Sequence, residues 1–417
     1  MPAAEPATPA AYAQGNAIRV SEAPSEPGWD TDAPHDPDRA TLLLQGPMGP
    51  FFSRFGNYIA AQGGKVWKIN FNGGDWLDSR GLDIINFRGA LEEWPLFLAR
   101  IIRQYRIGQI FMYGDCRPYH RLAIAAARHA GIRAFVFEEG YVRPYYVTLE
   151  EGGVNAHSAL RRDPQWYAAQ PIPLHAERPL PASPRFARMA GAAMAYYLAG
   201  AWLRPWFPHY RHHRDFSVWR EGARWCLSGW RKLHYAKRDR RLTGRFAGDL
   251  SGRYFLVPLQ AYSDSQLTVH SDYSGMEAFI RELAESFARY APDDAWLVFK
   301  HHPMDRGARH YGKLMAALRT EHGLGERLAY AHELHLPTAL RHARGVVVIN
   351  STVGFSALLH GTPVKAMGRA IYDMPGLTSQ EPLDRFWQNP GTVSKALFRA
   401  FRRHLVATTQ INGSFHA

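Results

Sequence analysis

The chain has 417 residues, 46% of them apolar and 21% charged, a globular composition that excludes a largely disordered protein and calls for about two domains. Two cysteines, Cys116 and Cys226, exclude a disulfide-stapled scaffold and fit a reducing compartment. The formal charge of +13 points to an anionic partner: nucleic acid, an anionic membrane face or a phosphorylated substrate.

Residues 1–39 are rich in Ala, Pro, Glu and Asp and lack the basic start and apolar run of a secretion signal, so a mobile tail is expected there. From Ala40 the pattern alternates. TLLLQGP (41–47) and GKVWKINFN (64–72) read as strands, and LFLARIIRQYRI (96–107) as an amphipathic helix. QIFMYGD (109–115) is a strand running into a polar turn, HRLAIAAARHA (120–130) a helix, and IRAFVFEEG (132–140) a strand ending in two carboxylates. A second series follows. RYFLVPLQ (253–260), AWLVFKHHP (295–303) and RLAYAHEL (327–334) read as strands, and MEAFIRELAESFARY (276–290) and LPTALRHA (336–343) as helices. GVVVINSTVGFSALLHGTPVKAMG (345–368) reads as strand, turn, helix and strand. This alternation predicts an α/β chain of two Rossmann-like domains facing across a cleft, with ligands at the carboxyl ends of the strands. The predicted boundaries are 40–184 and 246–390, followed by a helix and tail over 391–417.

Residues 185–245 break the pattern. They hold fourteen Lys or Arg against three acids, with Trp202, Trp206, Trp219, Trp225 and Trp230 and the tyrosines Tyr196, Tyr197 and Tyr210 interleaved. Aromatic rings among cations suit a lipid–water interface, which predicts a basic aromatic helical insertion contacting an anionic membrane. The competing reading is a solvated insertion with its Trp packed inward. No RNP, KH or zinc-finger pattern supports nucleic acid. The longest nearly uncharged apolar run, Met189–Leu203, is shorter than the roughly 20 residues a spanning helix needs.

Several turns carry candidate chemistry. QGPMGPFFSRF (45–55) lets the backbone approach a ligand closely, with Ser53 and Arg54 as its polar contacts, although it is neither a G-x-G-x-x-G nor a Walker loop. GDCRPYH (114–120) brings Asp115, Arg117 and His120 to one short turn, where Cys116 reads as a packing residue. In EEGYVRP (138–144), neighbouring carboxylates on a strand point to opposite faces, so one of Glu138 and Glu139 faces the cleft as base or nucleophile. The alternative is a cap or an ion pair with Arg143. KHHPMD (300–305) places His302, braced by Pro303, and Lys300 where they could contact a phosphate oxygen, or else forms a structural turn. The adjacent histidines lack chelating spacing, so no metal is expected. HYRHH (209–213) reads as surface charge. In NSTVGFSALLHGTPV (350–364), a buried strand delivers Asn350, Ser351 and Thr352 to a helix N-terminus, as an anion site or simply a cap.

Taken in order, QGPMGPFFSRF, YGDCRPYH, EEGYVRP, the VPLQ strand end, KHHP and NSTVGFSALLHGTPV resemble the KpsS/LipB-type capsule polysaccharide proteins over roughly residues 40–390. The resemblance implies a GT-B-like fold, with an acceptor-side domain first and a nucleotide-sugar-binding domain second. It implies a retaining β-Kdo glycosyltransferase that carries Kdo from CMP-Kdo to a phosphatidylglycerol-type lipid, starting the linker of a Gram-negative capsular polysaccharide. Such an enzyme would work in the cytoplasm, peripheral at the inner membrane's cytoplasmic leaflet, without a metal or other cofactor. A KpsC-type Kdo transferase and the capsule export machinery are its expected partners, and nucleic acid is not.

The same resemblance, through a motif logic shared with bacterial sialyltransferases, assigns a catalytic carboxylate to the Glu138-Glu139-Gly140 motif, with Glu139 favoured and Asp115 kept as a further candidate. It assigns donor phosphate contacts to His302-Pro303 and Ser351-Thr352, supported by Lys300, Asn350 and Gln260, and sugar or acceptor contacts to Ser53, Arg54, Arg117 and Arg143. Two alternatives stay open at this point: another sugar-nucleotide enzyme on the same architecture, and a non-catalytic lipid- or polysaccharide-binding component of export.

Overall fold

The computed structural model describes residues 39–171, 179–182, 186–211, 218–262 and 271–416. All of the expected tail except Arg39, together with His212 and His213 and the side chains of Trp219 and Trp225, lies outside those residues.

The first half runs β1 (Ala40–Leu43), α1 (Phe51–Ala61), β2 (Val66–Asn70), α2 (Gly73–Leu77), β3 (Asp83–Asn86), α3 (Trp94–Gln104), β4 (Ile107–Tyr113), α4 (Pro118–His129), β5 (Arg133–Glu139), β6 (Tyr146–Glu151) and α5 (Pro164–Ala169). Two long helices follow, α6 (Phe186–Trp202) and α7 (Val218–Phe246). The second half runs β7 (Tyr254–Pro258), α8 (Met276–Tyr290), β8 (Trp296–Lys300), α9 (Gly312–Glu321), β9 (Leu328–Ala331), α10 (Leu336–Arg341), β10 (Gly345–Val348), α11 (Thr352–Leu359), β11 (Val364–Ala366) and α12 (Leu383–Gln388). The chain ends in α13 (Lys395–Thr409) and β12 (Gln410–Asn412).

Among the described residues the strands form two sheets, ordered β12-β6-β5-β4-β1-β2-β3 and β11-β10-β7-β8-β9. The second is parallel throughout, and β7 is buried at every position, as a strand covered on both faces must be. In the first sheet β1 to β5 are parallel, while β6 and β12 add antiparallel strands at one edge. The helices that cover the sheets do so by spacing. In α3, Trp94, Leu98, Ile101 and Ile102 lie on one buried face, with Pro95 tolerated in the first turn. In α8, Met276, Phe279, Ile280, Leu283, Ala284 and Phe287 do the same. Two Rossmann-like units thus meet across a crevice, the GT-B-like arrangement expected.

The edge strands were not expected from the sequence, because the inward face of β6 carries Thr148 and Glu150 where an apolar alternation would carry Val or Leu. Partners from distant segments make that burial tolerable. Gln410 Nε2 donates to Thr148 Oγ1 at 2.9 Å, and Tyr141 Oη donates to Glu150 Oε1 at 2.7 Å. The segment 391–417, expected as a helix and tail, instead returns to the first sheet through β12 and packs α13 on α5, with Tyr167 against Phe401 at 5.1 Å.

The two long helices attach to different halves. α6 lies on α2, where Gly73 and Gly74 leave no side chain between the Ala199 carbonyl and the Tyr196 ring; a Cβ at either position would collide with them. α7 docks on the second half. Tyr235 stacks on His332 at 3.7 Å, Asp239 accepts from the backbone N–H of His332 and Glu333 at 2.6 and 3.0 Å, and Phe246 stacks on Tyr254 at 4.4 Å.

Candidate active site

In both sheets the order of strands reverses beside the first strand, β1 next to β4 and β7 next to β10, and each switch point is bridged by a side-chain hydrogen bond. Arg117 donates to Gln45 Oε1 at 2.6 Å, and Gln260 donates to Asn350 Oδ1 at 2.9 Å. Crevices outside the carboxyl ends of strands at such reversals are where open α/β sheets bind ligands. Gln260 is buried, and its Oε1 has no partner among the described residues.

The carboxyl end of β5 delivers Glu138 and Glu139. Glu139 shares its strand face with Phe135 and Phe137 and is exposed at the end; Glu138, on the other face, is half-buried and accepts from the Glu139 backbone N–H at 3.0 Å. The Tyr113 hydroxyl nearby is pushed well above its ordinary pKa, first by burial and then by these two carboxylates. Arg117 lies 5.6 Å from the Tyr113 ring centre. Asp115, at the end of β4, is buried and bonded to Val154 N–H and His157 Nδ1, each at 3.0 Å. Burial opposes its ionisation, but the bonds from His157 and Val154 outweigh it and hold the carboxyl below its usual value. His120 is buried in α4 with Nδ1 on the Gly114 carbonyl at 2.7 Å, so it is packed rather than presented. Cys116 Sγ contacts Asp115 Oδ1 at 3.1 Å.

Across the crevice, β8 ends in Lys300, followed by His301, His302 and the turn Pro303–Asp305. His302 Nδ1 accepts from Met304 N–H at 3.3 Å, so its neutral ring carries the proton on Nε2 and can donate from there. Burial, then Lys300 and then Arg143 depress its pKa to about 4, which keeps the ring neutral near pH 7. Arg143 belongs to the first half and His302 to the second, so the charge of Arg143 acts on the His302 ring from the other half. Ser351 Oγ caps α11 by accepting from Val353 N–H at 3.2 Å, and Tyr372 donates to the Ser351 carbonyl at 2.5 Å. Thr352, Asn350, Arg369 and Tyr372 line one wall of a narrow crevice whose other wall is Tyr141 and Asn155. Arg162 Nε, donating to the Ala370 carbonyl at 3.3 Å, ties the walls together.

The structure therefore gathers Asp115, Arg117, Glu138, Glu139 and Arg143 at one lip and Gln260, Lys300, His302, Pro303, Asn350, Ser351 and Thr352 at the other. Ser53 and Arg54 do not join them. The chain turns helical at Phe51, which buries Ser53 with its hydroxyl donated to the Pro50 carbonyl at 2.9 Å and leaves Arg54 exposed on α1.

Other site residues were missed from the sequence. Tyr141 donates to the buried Glu150 and accepts from Asn155 N–H at 2.6 Å, while Ser158 Oγ also donates to Glu150. Burial raises the Glu150 carboxyl to about 7 against those bonds. The Gly-Gly-Val-Asn-Ala-His-Ser run after β6 was the available signal. The chain's end contributes too: Phe415 wedges against Phe51 and Tyr113 at 4.9 and 5.3 Å, and His416 lies within the field of Glu139.

The chain is 45% identical over 377 residues to the capsule polysaccharide export protein KpsS of Escherichia coli, covering 90% of this chain and 96% of that protein. It is 39% identical over 383 residues to the capsule polysaccharide modification protein LipB of Neisseria meningitidis, covering 90% and 91%. Among solved structures it is similar to a beta Kdo 2,7 transferase, KpsC of Thermosulfurimonas dismutans, at 15% identity and a TM-score of 0.41, covering 89% and 93%. The family described as capsule polysaccharide biosynthesis protein matches residues 108–416, which spans the second part of the first sheet, both long helices and the whole second half. The chain belongs to the capsule polysaccharide biosynthesis protein family.

Proposed function

We propose that this protein is a retaining glycosyltransferase that moves Kdo from CMP-Kdo to a phosphatidylglycerol-type lipid at the cytoplasmic face of the inner membrane. The observation that carries the reading is the pairing across the cleft: a strand-end carboxylate pair and Arg143 on one lip, and a neutral His302 with Lys300 and the α11 N-terminus on the other. A sugar nucleotide needs both lips. The second half would hold the single phosphate of CMP through His302 Nε2–H, Lys300 and the N-terminus of α11, so that no metal is required. Gln260 Oε1, buried and without a partner among the described residues, would accept a hydrogen bond from the nucleoside.

Glu139 would attack the anomeric carbon as the bond to the CMP phosphate oxygen breaks, its electron pair staying on the phosphate. The acceptor hydroxyl would then displace Glu139 by attacking from the opposite face, the one CMP has left, and the two inversions give net retention. Glu138 or Asp115 would receive the acceptor's proton. Arg143 or Arg117 suits the sugar's own carboxylate, which a guanidinium binds through two parallel bonds. A KpsC-type transferase would extend the product.

Incubation of the full chain with CMP-Kdo and a phosphatidylglycerol-type acceptor tests this. Acceptor-dependent CMP release and an acceptor gaining the mass of Kdo are expected, unchanged in a chelator. Release only from a different sugar nucleotide would replace the donor assignment. Saturable lipid binding without turnover would make the protein a binding component, and loss of activity in chelator restored by magnesium would overturn the metal-free chemistry.

A further inference from the structure

We propose that the outward face of α6 inserts into an anionic lipid bilayer, while the outward face of α7 holds the headgroups. Only the purpose of this surface, presenting a lipid acceptor, rests on the transferase reading; its residues and its test do not.

At 100° per residue, the face of α6 that meets Gly73 and Gly74 is defined by Tyr196, Ala199 and Leu203. The opposite face carries Met194, Leu198 and Trp202, one turn apart, which are 59, 54 and 85% exposed. Ala195 and Ala201 beside them are also exposed, and from Met189 to Leu203 there is no charged residue. A helix held on one side by close backbone packing therefore offers water an uncharged apolar ridge on the other. Scattered apolar residues on a surface need no explanation, but a ridge of three large ones in register does.

α7 sorts its residues differently. Tyr235, Asp239, Leu242 and Phe246 form its docking face. Opposite them stand Trp230 and Leu233, 64 and 75% exposed, among the exposed cations Lys237, Arg240 and Arg241. Trp beside Lys and Arg matches the headgroup level of a membrane, where rings meet the interface and cations meet phosphates. The charge on α7 selects an anionic bilayer over a neutral one, and the bare α6 ridge supplies the apolar part of the contact.

The structure also decides which cations serve this role. Arg231 donates to the Arg306 carbonyl at 2.7 Å, and Arg238 donates to the Tyr330 carbonyl at 3.3 Å. Those two fasten α7 to the second half, so neutralising them would confuse docking with binding.

The experiment is flotation of the full chain with vesicles of phosphatidylglycerol and phosphatidylethanolamine, and with phosphatidylcholine vesicles. Wild type should float with the anionic vesicles. Leu198→Glu/Trp202→Glu should lose about tenfold or more in apparent affinity at every salt concentration. Lys237→Gln/Arg240→Gln/Arg241→Gln should bind weakly at low salt, and wild type should fall to its level as salt is raised. Leu96→Glu, an exposed apolar position on α3, should bind as wild type does. Unchanged thermal melting and unchanged CMP affinity in the α6 pair exclude misfolding. Wild-type flotation by the α6 pair would overturn the proposal. So would a wild type that ignores vesicles but dimerises through α6, with the pair monomeric in gel filtration, because the ridge would then belong to a second copy. Wild-type flotation without turnover on any acceptor would leave the surface standing and sink the transferase reading instead.

Discussion

Glu150 and Glu139 lie on adjacent antiparallel strands yet hold opposite environments, one buried and one exposed. For Glu150, burial lifts the folded-state pKa from the ordinary carboxyl value of 4.5 to about 7. Between those values the folded protein holds more protons than the unfolded chain, so stability falls as pH rises. The favourable contribution is complete below the ordinary value and gone above about pH 7, a swing on the order of 3 kcal/mol. Glu150→Gln should flatten that limb, whatever its constant offset, when melting temperature is followed from about pH 5 to pH 8. An equally steep limb in the variant would place the proton elsewhere. At Glu139 the expected effect is on chemistry. Glu139→Gln keeps shape and removes charge, so CMP binding should persist while transfer falls by far more than tenfold. A loss within about tenfold, roughly 1.4 kcal/mol in barrier, would shift the role to Glu138 or Asp115. Of these positions, the Glu-Glu-Gly motif was legible in the sequence, because a carboxylate pair ending an apolar strand has few structural uses. Glu150 was not, because nothing local announces that Tyr141 and Ser158 will close over it.

At the scale of elements, the contact between α2 and α6 depends on two glycines in sequence. Neither Gly73 nor Gly74 has a positive φ, so conformational freedom is not what they supply; the space they leave for Ala199 and Tyr196 is. Gly73→Ala should force the helices apart and destabilise by about 1–3 kcal/mol, the usual cost of overpacking. The melting temperature should fall accordingly, and the hydroxyl of Tyr196, bonded to Asp75 Oδ1 at 2.7 Å and accepting from Gln45 Nε2 at 2.9 Å, should leave the network that reaches Arg117. An alanine variant as stable as wild type would mean that α6 slides without cost. The sequence reading located the helices that alternate with parallel strands, since their 3.6-residue spacing is a local property. It could not assign α6 and α7 to different halves, because both attachments are made by residues that look ordinary in their own neighbourhoods.

Across the whole molecule, Glu150 in the first half and the β8 strand end in the second should respond to pH with opposite signs. His301 and His302 are held neutral by burial, with pKa values near 3 and 4 against 6.5 for an open ring. Below about pH 6.5 the unfolded chain binds more protons than the folded one, so this part of the stability is lost as pH falls. Amide exchange should show the β8 strand end loosening on acidification and the β6 loop on alkalinisation. The reverse order would contradict both assignments. The cleft makes a second molecular-scale prediction. Arg143→Ala lies in the first half, yet it should weaken CMP-Kdo binding measured by calorimetry, while binding of CMP alone should change less. His302→Ala should weaken both. Equal effects of the two substitutions on CMP alone would place Arg143 on the phosphate rather than on the sugar.

The amino-acid order alone carried the α/β class, the two parallel series and the motif-bearing strand ends, because strand, helix and turn preferences act over a few residues and repeat with fixed periods. It also marked 185–245 as a basic aromatic departure from that pattern. The folded molecule was needed to show that Ser53 turns inward, that β12 carries the chain's end back to the first sheet, and that the charge of Arg143 acts on His302 from the other half. It alone separated the cations of α7 that fasten the helix from those that face outward. These are contacts between residues dozens to hundreds of positions apart, and their energies depend on what arrives from the other side. A chain read in one dimension specifies its own preferences, and the identity of each partner exists only once both are in place.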